Sequence, residues 1–145
     1  MDQSYYPHIW SRQNQQLQLQ ISEAINGEYS AIQCYERISA MAPSQSVRNQ
    51  ILEIRTDEIS HFQHFRRIYT SLFGAQPSVK ITEECPNNYR EALDFAFRDE
   101  QQTVDKYLDI TELTNDSSIK EAFRRAAADE QNHAVWFLYF MSQNQ

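Results

Sequence analysis

Four stretches of the chain place apolar side chains at steps of three and four residues, the period of a helix that buries one face. The first covers roughly residues 9–42 and carries Leu17, Ile21, Ala24, Ala31, Tyr35, Ile38 and Ala42 on one stripe. The second, about residues 44–73, carries Val47, Ile51, Ile54, Phe65, Ile68 and Leu72. The third opens near Asn88 with Leu93, Ala96, Val104, Tyr107 and Thr111, and the fourth opens near Ser118 with Ile119, Phe123, Ala126, Phe137 and Phe140. Pro43 closes the first stretch, and Gly74 and Pro77 close the second. Asn88 with Glu91, and Ser118 with Glu121, have the spacing of an N-cap and its box partner. Only two glycines and four prolines punctuate 145 residues, which suits long uninterrupted helices.

The links set the topology. "APSQS" joins the first pair of helices and "TNDSS" the second, and links this short make antiparallel neighbours. Residues 74–87 form a longer connection, which could extend about 45 Å at roughly 3.3 Å per residue. A helix of about 28 residues is about 42 Å long, so the connection can run the length of a bundle or carry slack. The expected fold is all-α: one domain over residues 1–145, an antiparallel four-helix bundle of two hairpins joined by a long crossover.

Composition narrows the partners. A net charge of −7 and a pI near 5.0 disfavour nucleic acid, whose phosphates call for a basic surface. No apolar run approaches the roughly 18 residues that suggest a membrane span. The N-terminus lacks the basic-then-apolar layout of a signal peptide. Cys34 and Cys85 form no C-x-x-C motif and read as reduced thiols of a cytoplasmic protein. His8 reads as a terminal, exposed histidine and His64 as a partly exposed one.

The stripes contain an anomaly. Glu28, Glu58, His61, Glu100, Glu130 and His133 occupy positions that should be apolar. They also repeat: Glu58 and Glu130 are 72 positions apart, as are His61 and His133, Glu28 and Glu100, and Tyr35 and Tyr107. Asp57 and Asp129 share that offset. Helical packing accounts for matching apolar positions but not for matching acids and histidines. A single buried carboxylate costs several kcal/mol unless paired, and four facing one interior would repel and protonate. The stripes offer no Lys or Arg, so cations must come from elsewhere. Four carboxylates balance two divalent metal ions, and mixed carboxylate and imidazole donors suit iron or manganese.

This donor set resembles that of the ferritin-like superfamily, particularly its rubrerythrin and bacterioferritin branches, in which two helices each give a Glu and two give Glu-x-x-His. The resemblance covers roughly residues 20–141. It implies that Glu58 and Glu130 bridge two iron ions, with Glu28 and His61 completing one and Glu100 and His133 the other. It further implies that Asp57 orients His133 and Asp129 orients His61. Tyr35 and Tyr107 either bond ligand carboxylates, relay electrons, or serve as core aromatics with satisfied hydroxyls. The implied activity is oxidation or reduction involving peroxide, dioxygen or Fe(II). Alternatives are a metal-binding or structural bundle without turnover, and a dimanganese catalase-like protein. The chain departs from classical rubrerythrins in having no rubredoxin motif, which implies an external electron donor. It also has Thr103 where those proteins carry a further Glu. It ends soon after the fourth helix, so a homodimer is expected rather than a 24-subunit shell.

Overall fold

A computed structural model describes the backbone of residues 7–144 and the side chains of residues 12–144. The side chain of His8 lies outside the described residues. Four helices form: α1 (Pro7–Met41), α2 (Gln45–Phe73), α3 (Tyr89–Glu112) and α4 (Ser117–Gln143). Their boundaries follow local chemistry. The Ser44 side chain accepts from Val47 N at the start of α2, and Gly74 closes that helix in the left-handed region (φ 70°) with its N–H on Thr70 O. Asn88 caps α3 by accepting from Glu91 N.

The fourth helix begins differently from expectation. Asp116, not Ser118, is its N-cap, and its carboxylate accepts from the N–H groups of Ser118 and Ile119. Within the polar run "NDSS" an anionic cap satisfies two free N–H groups and also faces the positive end of the helix dipole. Asp116→Ala is therefore expected to destabilise the fold, and Ser118→Ala clearly less. Chemical denaturation of the two variants checks the order.

α1 packs along α2 and α3 along α4, and the hairpins meet through α1 against α3 and α2 against α4. The connection between α2 and α3 fixes their directions. Lys80 N donates to Asn26 Oδ1 (2.8 Å), Thr82 N donates to Ser30 Oγ (2.9 Å), and Arg37 Nη2 donates to Asn87 Oδ1 (2.6 Å). Ascending residues of the connection thus meet ascending residues of α1, and α3 starts near the end of α1. The connection is a crossover running lengthwise, α3 runs antiparallel to α1, and the expected two-hairpin bundle is the one observed.

Cys34 and Cys85 are joined by a disulfide (S–S 2.12 Å), which corrects the expectation of two reduced thiols. The separation of 51 residues concealed the pairing. Only the crossover's path along α1 brings Cys85 to the face that carries Asn26, Ser30 and Cys34 at successive helical turns. The address argued from free thiols loses that support. No helix among the described residues is long and apolar enough to cross a membrane.

The apolar stripes meet as two cores. One gathers Leu17, Ile21, Ile25, Phe65, Tyr107 and Phe123, with Phe65 stacked on Phe123 at 4.2 Å. The other gathers Tyr35, Ile38, Ile51, Ile54, Leu93 and Phe137. Leu72 leaves its stripe and is exposed. Each helix passes from one core to the other through its ionisable residue, so the polar layer lies between two apolar ones.

Candidate metal centre

In that layer α1 contributes Glu28, α2 contributes Glu58 and His61, α3 contributes Glu100, and α4 contributes Glu130 and His133. Four full helices enclose them: Glu28, Glu58, Glu100, Glu130 and His133 are at most 2% exposed, and His61 is 8% exposed. Their donor atoms fall into two groups, each within 4.8 Å: Glu28, Glu58, His61 and Glu130, and Glu58, Glu100, Glu130 and His133. Glu58 and Glu130 belong to both. His61 Nδ1 lies 3.1 Å from Glu130 Oε1 and 3.4 Å from Glu28 Oε1. His133 Nδ1 lies 3.2 Å from Glu58 Oε1 and 3.5 Å from Glu100 Oε2.

Each imidazole turns its other nitrogen to an aspartate of the opposite hairpin. His61 Nε2 is 2.9 Å from Asp129 Oδ2, and His133 Nε2 is 2.8 Å from Asp57 Oδ2. These are the pairs expected from the resemblance. The tyrosines cross over as well. Tyr35 donates to Glu100 Oε1 (2.5 Å), and Tyr107 donates to Glu28 Oε1. The hydroxyls thus fix one oxygen of each outer glutamate and leave the other directed elsewhere. His64, in contrast, is exposed and stands apart from both groups.

The interior is electrostatically unfinished. Glu28 Oε2, Glu58 Oε1, Glu100 Oε2, Glu130 Oε1 and the Nδ1 atoms of His61 and His133 are buried without a hydrogen-bond partner. Buried polar atoms are rarely left so, and here all six residues contribute one each. Burial and the neighbouring Glu58 push the Glu28 carboxyl well up, and burial with Glu100, Glu58 and Glu28 does the same to Glu130. Burial and Glu58 also raise Glu100. Burial acts upward on Glu58 too, but the imidazoles of His133 and His61 outweigh it and hold this carboxyl well below its usual range. Burial opposes the charge on the histidines, yet Glu28 and Glu58 lift His61 to about 12, and Glu100 and Glu58 lift His133 to about 11. Without metal, protons stand where positive charge is needed.

Sequence reading missed the polar groups that meet the crossover. Asp99 of α3 faces Glu83 of the crossover, and burial together with Glu83 pushes the Asp99 carboxyl up to about 8. Asn26, Ser30 and Cys34 are a visible polar stripe at steps of four, but their partners lie on a segment with no periodicity. A cleft of about 660 Å³ between α2 and α4 reaches His61, Asp57 and Asp129 from the surface.

Helices, crossover and buried Glu/His layer define a ferritin-like bundle, and the chain belongs to the ferritin-like domain family, whose sequence profile matches residues 6–143. It is 50% identical over 144 residues to the uncharacterized protein YhjR of Bacillus subtilis (strain 168), with 99% of each chain covered. A ferritin-like, diiron-carboxylate protein from Bacillus anthracis superposes with a TM-score of 0.80 at 22% identity, covering 89% of this chain and 97% of that one. A hypothetical protein from Pyrococcus furiosus gives 0.74 at 18% identity, covering 87% and 88%. At these identities the two solved structures share the fold with this chain.

Proposed function

We propose that the protein is a dinuclear non-haem iron oxidoreductase acting on peroxide, dioxygen or Fe(II). One observation carries this reading: six buried, unpartnered donor atoms form two groups that share Glu58 and Glu130. Glu28 and His61 complete one position, and Glu100 and His133 the other. Four carboxylates offset two divalent ions, whereas a lone tetrahedral zinc would leave donors unused. The description of the B. anthracis relative as a diiron-carboxylate protein favours iron over manganese.

A bound iron pair supplies two electrons and a Lewis-acidic surface for a small oxidant. The chain's own part is to hold and exclude. Asp57 and Asp129 accept from the Nε2–H of the histidines, which leaves each Nδ1 free as a donor to metal. Tyr35 and Tyr107 keep the outer glutamates from rotating. The apolar layers on either side restrict water, and the cleft at His61 gives a small molecule its approach.

Anaerobic Fe(II) loading followed by metal analysis tests the reading. Uptake of about two iron ions per chain is expected, with ferric absorption on adding peroxide. Glu58→Ala and His133→Ala should each lower the bound iron. Unchanged stoichiometry in both variants would remove the assignment, and bound iron inert to peroxide and oxygen would reduce the protein to a metal-binding bundle.

A further inference from the structure

We propose that Cys34 and Cys85 are a two-electron relay that accepts reducing equivalents from an external dithiol and passes them to the metal centre through Tyr35. The proposal rests on the di-iron reading above.

The two sulfurs sit in different surroundings. Cys34 is 2% exposed and packs in the core that holds Tyr35 and Phe137, whereas Cys85 lies on the crossover and is only partly buried. A nucleophile from solvent thus meets Cys85 first, and the inner sulfur is the leaving group. Inward, the path is short in bonds. Cys34 is covalently next to Tyr35, and the Tyr35 hydroxyl donates to Glu100 Oε1 at 2.5 Å, one of the proposed outer ligands. One peptide unit, one ring and one hydrogen bond therefore join the disulfide to the centre.

The internal repeat provides a control within the same chain. Tyr107 makes the equivalent bond to Glu28, but the residue before it is Lys106. Neither the cysteine nor the crossover has a counterpart in the second hairpin. Glu28, Glu100 and both tyrosines recur because the centre needs them twice. The disulfide occurs once, beside one tyrosine. A sulfur pair serving only as a staple needs no such neighbour.

The electron count closes. A thiolate of the external dithiol attacks Cys85 Sγ and releases Cys34 as a thiolate. The donor's second thiol then breaks the mixed disulfide, leaving the donor oxidised and both cysteines reduced. Cys34 and Cys85 next lose two protons and two electrons and re-form the S–S bond. The electrons convert two ferric ions to ferrous, one each. Reduction of one peroxide by two ferrous ions uses the same number, so one dithiol serves one turnover.

The test uses the whole chain. It is reduced with dithiothreitol, desalted without oxygen, saturated with Fe(II), and given one peroxide per iron pair. Ferric absorption is followed together with free thiols, counted by mass after alkylation. Ferric absorption should rise and then decay as both thiols of the same chain disappear. In Cys34→Ser, and independently in Cys85→Ala, it should rise and persist. Tyr35→Phe keeps both thiols and should slow the decay by about tenfold, an effect that Tyr107→Phe should not reproduce. Persistent ferric absorption in the unmodified chain with both thiols free would overturn the relay. So would thiol loss at the same rate in the metal-free chain, because peroxide would then be attacking sulfur directly. If no ferric absorption forms even in the cysteine variants, the di-iron reading has failed and the relay falls with it.

Discussion

Glu58→Gln will lower the melting temperature of the metal-free protein by about 10 °C or more, while Glu130→Gln will leave it nearly unchanged. The two carboxylates are equivalents in the repeat, but their charge states differ. Glu58 stays ionised against the pull of burial because His133 Nδ1 lies 3.2 Å and His61 Nδ1 3.5 Å from its Oε1. Neutralising it leaves two buried imidazolium groups without their shared anion, and breaking a buried pair in this way costs about 3–5 kcal/mol. Burial and three neighbouring carboxylates drive Glu130 upward, which favours its neutral form in the metal-free fold. An amide matches a neutral carboxyl in shape and keeps an oxygen for His61 Nδ1, 3.1 Å away. Both variants lose a donor common to the two metal positions, so both should bind less iron. Melting curves in chelator, set beside iron content, separate the effects. Equal destabilisation by the two substitutions would contradict the charge distribution.

Stability will respond to pH in opposite senses with and without metal. His61 and His133, raised to about 12 and about 11, contribute fully below the ordinary imidazole range. That contribution is lost as pH rises through the folded values. Glu28, Glu100 and Glu130 are raised as well, so the fold also binds more protons than the unfolded chain above the ordinary carboxylate range. Both sets act in one direction, and the metal-free protein should melt progressively lower from about pH 5 to about pH 9. Metal must displace those protons, so its affinity rises over the same interval. At a fixed free Fe(II) concentration about 100 times the dissociation constant at pH 7, each ion bound adds about 2.7 kcal/mol, or roughly 8–10 °C. The increment should be larger at pH 8 than at pH 6, with protons released on loading. An increment independent of pH would mean that the metal binds outside this cluster.

The repeat made the centre legible. Glu28, Glu58, His61, Glu100, Glu130 and His133 interrupt apolar stripes at a constant offset, and periodic helices translate such positions directly into one layer. The aspartate and tyrosine contacts follow from the same geometry, because a two-hairpin bundle turns each hairpin's side chains toward the other. What was not legible hangs on irregular backbone. Residues 74–88 have no period, so nothing in the sequence placed Cys85 beside Cys34, Lys80 beside Asn26, or Glu83 beside Asp99. The start of α4 was displaced from Asp116 to Ser118 for a related reason: in "NDSS" several side chains can cap, and the choice depends on where the preceding turn releases the chain. Leu72 fits its stripe by spacing yet is exposed near the end of α2.

The distribution of the six donors between the hairpins has a consequence for biosynthesis. Neither proposed metal position can be assembled from one hairpin, since each requires both Glu58 and Glu130. A ribosome-bound chain that has released only α1 and α2 holds Glu28, Glu58 and His61 but has neither Glu130 nor the Asp129 that orients His61. Loading of the proposed centre would wait until the fourth helix has emerged and docked. The first hairpin alone therefore cannot bring the six Glu and His residues together.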